Sequence, residues 1–184
     1  MKVILLLFIA IVFTACDPSV NEYAFLKPDK YDLANTVVAE TSFQLKRDKN
    51  LIPFGTGRKI CDQIQMLALT FICYKETEID EARELLLEAF KVMVHVINSN
   101  EEIRPYLCQY PFDQNLEMSI YFRKPNGHRD FGQLGICSIK RGKLEYIIQN
   151  STYNYTTILS ETYEEAESKG CVEKFCRENL RKIP

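Results

Sequence analysis

From Val3 to Phe13 every side chain is apolar. As a helix this run would be apolar on all sides, which a small domain rarely buries. Carried through Ala15 at ~1.5 Å per residue it would reach roughly 20 Å, short of the ~30 Å hydrocarbon core of a bilayer. The run therefore suits neither the interior of a domain nor a stable membrane span. Lys2 and the α-amino group give it a short positive lead, which is the make-up of an export signal. The fold has to be built from the residues beyond it.

The run closes on Phe13-Thr14-Ala15-Cys16, a large apolar residue, two small ones and a cysteine. This phrase resembles the lipobox of bacterial lipoproteins. The resemblance implies cleavage before Cys16 and alkylation of its thiol with a diacylglycerol. Acyl chains contribute about 0.8 kcal/mol per buried CH₂, and several together give a stable anchor. Asp17 resembles the inner-membrane retention signal of some Gram-negative lipoproteins. The alternative is ordinary small-residue cleavage, with Thr14 and Cys16 in the −3 and −1 places. On the lipobox reading residues 1–15 are a signal peptide, 16–30 a lipidated tether and 31–184 one domain. The protein is then lipid-anchored at the cell membrane or outer membrane, facing the periplasm or exterior.

Without residues 1–15 the chain has 169 residues, one domain's worth and enough to bury a hydrophobic core. That mature chain carries 22 basic and 25 acidic residues, net −3, and so lacks the basic balance of a nucleic-acid binder. Besides Cys16 there are six cysteines, Cys61, Cys73, Cys108, Cys137, Cys171 and Cys176. Outside the reducing cytosol they allow three disulfides in 15 connectivities. Cys61 and Cys73 bracket a strand that holds them tens of ångströms apart. Cys171 and Cys176 on one helix exceed the ~7 Å Cα limit unless Gly170 breaks the helix.

Periodicity supplies the elements. Asp29 is placed to cap a helix from about Lys30 to Lys46, and 51–60, with Pro53, Gly55 and Gly57, reads as a loop. Gly55-Thr56-Gly57-Arg58-Lys59 lacks the phosphate-loop spacing. Residues 62–74 are apolar on both faces of an alternating pattern, as in an interior strand. Ile79 to Asn98 is the strongest helix, with Ile79, Ala82, Leu86, Ala89, Met93 and Ile97 on one stripe and His95 on the wet side. Residues 116–122, 134–140 and 143–149 read as antiparallel strands, the last with Leu144, Tyr146 and Ile148 on one face. Ser160 is placed to cap a helix beginning with Glu161, ended by Gly170, and helical spacing resumes over 171–183. The expected fold is α+β. It has an antiparallel sheet of about four strands, the Ile79–Asn98 helix across one face, and the N- and C-terminal helices alongside.

Chemistry is sparse. With two histidines and no CxxC the sequence offers neither a metal site nor a thioredoxin-like one, and no cofactor motif is present. The one nucleophile set available is Cys108 with His128 and Asp130. Two segments suit binding instead. The loop RKPNGHRDFG gathers Arg123, Lys124, His128 and Arg129 between two strands. The stretch IRPYLCQYPF sets Tyr106, Tyr110 and Phe112 beyond the central helix, as a core plug or an aromatic contact surface. It resembles segments of uncharacterised exported proteins of intracellular bacteria, a likeness that carries no known activity. Asn150-Ser-Thr152 and Asn154-Tyr-Thr156 match the glycosylation sequon, which matters only in a eukaryote. The expectation is an exported, membrane-anchored binding or envelope-accessory domain that meets a protein partner. The alternatives are a small exported enzyme and a secreted, soluble disulfide-bonded protein.

Overall fold

The computed structural model describes residues 28–128 and 131–170. Its first element, α1 (Lys30–Lys49), starts where expected, because the Asp29 carboxylate accepts from the amides of Tyr31 and Asp32, both at 2.8 Å. It ends three residues later than expected, at Asn50, whose positive φ of 53° stops the helix. Leu33, Val37 and Leu45 point inward.

Residues 51–60 are not a loop. They form β1 (Ile52–Ile60), antiparallel to β2 (Ile64–Cys73). Proline and glycine suggest a loop here because both mark turns more often than strands. On an edge strand, however, the missing donor of Pro53 costs little. Gly57 faces Ala68 so closely that an added Cβ would lie 3.2 Å from that methyl. The extra residue in β1 is Phe54, which shifts the register between Pro53 and Gly55.

From β2 the chain enters α2 (Ile79–Ser99) and returns as β3 (Leu116–Phe122), parallel to β2. The sheet is therefore mixed, not purely antiparallel. Parallel neighbours need a crossover, and α2 is that crossover. Its buried stripe includes Ala82, Leu86, Ala89, Met93 and Ile97, as the periodicity required, and His95 is exposed. β4 (Leu134–Lys140) and β5 (Lys143–Ser151) continue the sheet antiparallel.

The sixth strand, β6 (Asn154–Thr162), takes residues that the sequence pattern divides between a sequon loop and a helix start. Thr162, not Ser160, caps the next helix. Its hydroxyl accepts from the Glu165 amide at 3.2 Å, and the Glu165 carboxylate accepts from the Thr162 amide at 2.9 Å. That helix, α3, spans 163–170 and includes Gly170, the last residue described. The helical spacing read over 171–183 lies outside the described residues.

The six strands lie in the order β1-β2-β3-β4-β5-β6. Among the described residues, α1 and α2 pack on each other and on one face of the sheet. Leu67, Leu69, Phe71, Met118, Ile120, Cys137, Ile139 and Leu144 fill the space beneath them. Past Tyr146 an extra residue in β6, Ile158, shifts the register. Beyond it Gln149 is buried, whereas Ile148, expected to face inward with Leu144 and Tyr146, is only half-buried.

Candidate functional site

β2 and β3 run parallel, so their carboxyl ends emerge side by side at one end of the sheet. In open sheets of this kind ligands collect outside such carboxyl ends. Here Cys73 leads into Lys75, Glu76 and Thr77 before α2, and Phe122 leads into Arg123 and Lys124. Lys75, Glu76, Thr77, Phe122, Arg123 and Lys124 line a cleft of about 390 Å³, closed by Glu78, Glu81, Gln133 and Leu134. A second cleft of about 340 Å³ shares Lys75, Thr77, Glu81 and Phe122 with the first and continues along α2 to Lys49 and Glu88. Together they make one groove across the end of the sheet.

Its charges alternate. Lys75 donates to the Glu81 carboxylate at 2.8 Å, Lys124 lies 4.0 Å from Glu76, and Lys49 pairs with Glu88. Such surface pairs are each worth about 0–1 kcal/mol, so an incoming charged group can replace one partner at small cost. The groove therefore suits a ligand carrying both signs, such as a polypeptide, more than a simple anion.

Arg123 joins this groove to the face of the sheet opposite α1 and α2. Its backbone amide donates to the Cys73 carbonyl at 3.0 Å, and its guanidinium lies 5.8 Å from the Phe54 ring centroid. Phe54, pushed onto that face by the β1 bulge, meets Tyr121 of β3 with ring centroids 6.1 Å apart. The two rings approach across β2, where Ile72 pairs with Tyr121 and is buried on the face opposite α1 and α2. Phe54 itself remains 60% exposed. The basic loop announces Arg123 and Lys124 in the sequence, but no pattern announces Phe54, which stands among turn-forming residues.

The other residues singled out in the sequence scatter. His128 is exposed in the turn where the Lys124 amide donates to its carbonyl at 3.0 Å, and Arg129 and Asp130 lie outside the described residues. Phe112 is fully buried and Tyr106 half-buried, so this part of the loop plugs the core. Tyr110 is 55% exposed beneath the Arg104 guanidinium, 4.8 Å from its ring centroid. It shares a hollow of about 490 Å³ with His95 and Tyr163. Cys16, Asp17, Cys171 and Cys176 lie outside the described residues.

Cys108 and His128 do not meet. The Cys108 amide donates to the Ile64 carbonyl, at the start of β2, whereas His128 comes after the far end of β3. The seven residues of β3 alone put roughly 20 Å between them. The four described cysteines are free thiols. Cys73 and Cys137 both face the core, but β3 stands between their strands, leaving them about 10 Å apart, beyond disulfide reach. Burial pushes both thiols above the ordinary value.

No protein-family model, curated protein or solved structure matches this chain. Among the described residues no group of three or more His, Cys, Asp or Glu side chains could hold a metal, and no helix is long and apolar enough to cross a membrane.

One further cluster lies within the core. Arg83 of α2 donates through Nε to Glu161 of β6 at 2.7 Å and through a terminal nitrogen to Asp80 at 2.6 Å. The same Glu161 oxygen accepts from the Tyr146 hydroxyl at 2.7 Å, and its second oxygen accepts from Lys169 of α3 at 2.7 Å. Burial alone would raise the Glu161 carboxyl, but the bonds from Arg83, Lys169 and Tyr146 outweigh it and hold it below the ordinary range. Burial likewise pushes the Tyr146 hydroxyl up. Neither of the two clefts described above is lined by a residue of this cluster, and its chemistry is that of a clamp.

Proposed function

We propose that this chain is an exported protein anchored at the membrane through a lipidated Cys16, sorted by Asp17, whose domain binds a protein partner. The observation that carries the binding reading is the groove at the carboxyl ends of β2 and β3, continuous through Arg123 with the Phe54–Tyr121 ring pair. Exposed aromatics and arginine beside exchangeable ion pairs are the make-up of a protein contact surface. The separation of Cys108 from His128 supports a binding role over the nucleophile set. The anchor rests on the sequence alone.

Intact mass of the membrane-extracted protein tests the anchor. The expected species has lost residues 1–15 and gained diacylglycerol and acyl chains at Cys16. A chain that keeps Met1, or one cleaved without lipid, overturns it. The surface is tested with a photo-crosslinking residue at position 54, paired with Arg123→Glu. A discrete protein adduct that the substitution abolishes is the expected outcome; an adduct pattern unchanged by the substitution overturns the assignment.

A further inference from the structure

Among the described residues the sheet ends at β1 and at β6, and these two edges are built differently. β1 carries Pro53, Arg58 and Lys59, is interrupted by two register shifts, and is tied to α1 where Arg58 bonds Asn35. Proline, charge and bulges are the usual means of blocking an edge from further pairing. β6 lacks most of them. From Asn154 to Ser160 it has no proline and no charged residue, reading NYTTILS. Residues 154–158 are exposed throughout, with Tyr155 at 44% and Ile158 at 45%. Its pairing with β5 shifts register twice, as that of β1 with β2 does, at the extra residue Ile158 of β6 and at Asn150 of β5, so the difference lies in proline and charge; its one acid, Glu161, is turned inward and held by Arg83 and Lys169. β-Branched and aromatic residues with unpaired backbone groups form a template for an added strand.

The features this edge lacks decide which strand it can take. Strand addition by a foreign peptide draws affinity from the backbone and specificity from pockets for alternate side chains. Neither the two clefts of the groove, nor the hollow at Tyr110, nor a further cleft between Lys59, Glu117 and Arg141 is lined by a β6 residue. With none of these clefts beside it to read a foreign sequence, the edge best fits a strand of its own kind. A two-fold axis at Thr157 places Thr156 opposite Ile158, Tyr155 opposite Leu159 and Asn154 opposite Ser160. No like charges meet across that seam, and threonine–isoleucine and tyrosine–leucine are favourable cross-strand neighbours. We propose that β6 is a self-pairing edge, joining antiparallel to β6 of a second copy so that two sheets become one. This inference is independent of the groove and of the anchor.

The test is sedimentation equilibrium of the full chain as isolated, with Tyr155→Lys and Ile158→Lys as separate variants. Ile158→Lys brings two lysines to roughly 8 Å of one another across the axis, Tyr155→Lys sets a charge against the apolar Leu159 of the second copy, and the expected result is a dimer whose dissociation constant rises about ten-fold or more in either variant. Far-ultraviolet circular dichroism identifies a variant that has lost its fold, and the other then serves. Register is read from Thr157→Cys, which under mild oxidation should form a covalent dimer whose crosslinked peptide joins position 157 to itself, distinct from any dimer the exposed Cys61 forms in the parent chain. A native chain that stays monomeric, or a dimer that both lysine variants leave intact, overturns the proposal.

Discussion

At Glu161 the two oxygens of one carboxylate hold α2, β5, β6 and α3 together through Arg83, Tyr146 and Lys169. The side chain is 1% exposed, so loss of its charge takes the main ionic partner from the buried Arg83 and a second from the exposed Lys169. Glu161→Gln should lower stability by about 3 kcal/mol, the low end for a broken buried pair, because Asp80 still accepts from Arg83. A carboxyl depressed on folding contributes stability that is complete above its ordinary value, 4.5, and is lost as pH falls through the lower folded value. The gap between the parent and Glu161→Gln should therefore be full at neutral pH and shrink well below pH 4.5, read from urea midpoints. The sequence pattern puts Glu161 in the first turn of a helix, where an acid also belongs. What separates the two readings is a cation from α2, 78 residues earlier in the chain, which no local pattern announces.

Helix α3 depends on Thr162 and Glu165, whose side chains each accept from the other's amide. Thr162→Ala should cost about 1 kcal/mol and speed hydrogen exchange in 165–170, while the amides of α2 stay protected. The cap is legible as a pattern, since Thr162-x-x-Glu165 has the right spacing. Ser160 competes with it as long as the chain before it is not recognised as a strand. β6 and β1 both escape the sequence, for opposite reasons. β6 is rich in threonine but begins at an Asn beside a two-residue turn and runs straight into a helix, and β1 is broken by Pro53 and two glycines that only an edge position tolerates. The elements with a buried face of their own, α1, α2, β2, β3, β4 and the first half of β5, are legible because burial on a rigid element imposes a period. The parallel pairing of β2 with β3 leaves no such trace, and the groove at their ends is legible only through Arg123 and Lys124.

Across the whole molecule one core serves both halves of the sheet, and two thiols report on it. Cys73 on β2 and Cys137 on β4 are buried and their thiols raised, whereas Cys61 is exposed. In reduced, folded protein a small alkylating reagent should label Cys61 rapidly and Cys73 and Cys137 only on unfolding, the last two with the same denaturant dependence. Labelling of Cys137 ahead of global unfolding would mean that β4 opens by itself. At the start of α1, Lys30 bonds the carbonyls of Cys61 and Asp62 in the β1–β2 turn. The groove lies past the opposite end of β2, whose ten residues span about 30 Å. A leash leading into α1 would therefore moor the domain by its base, with Phe54, Arg123 and Lys124 at the summit, turned toward whatever approaches from beyond the bilayer.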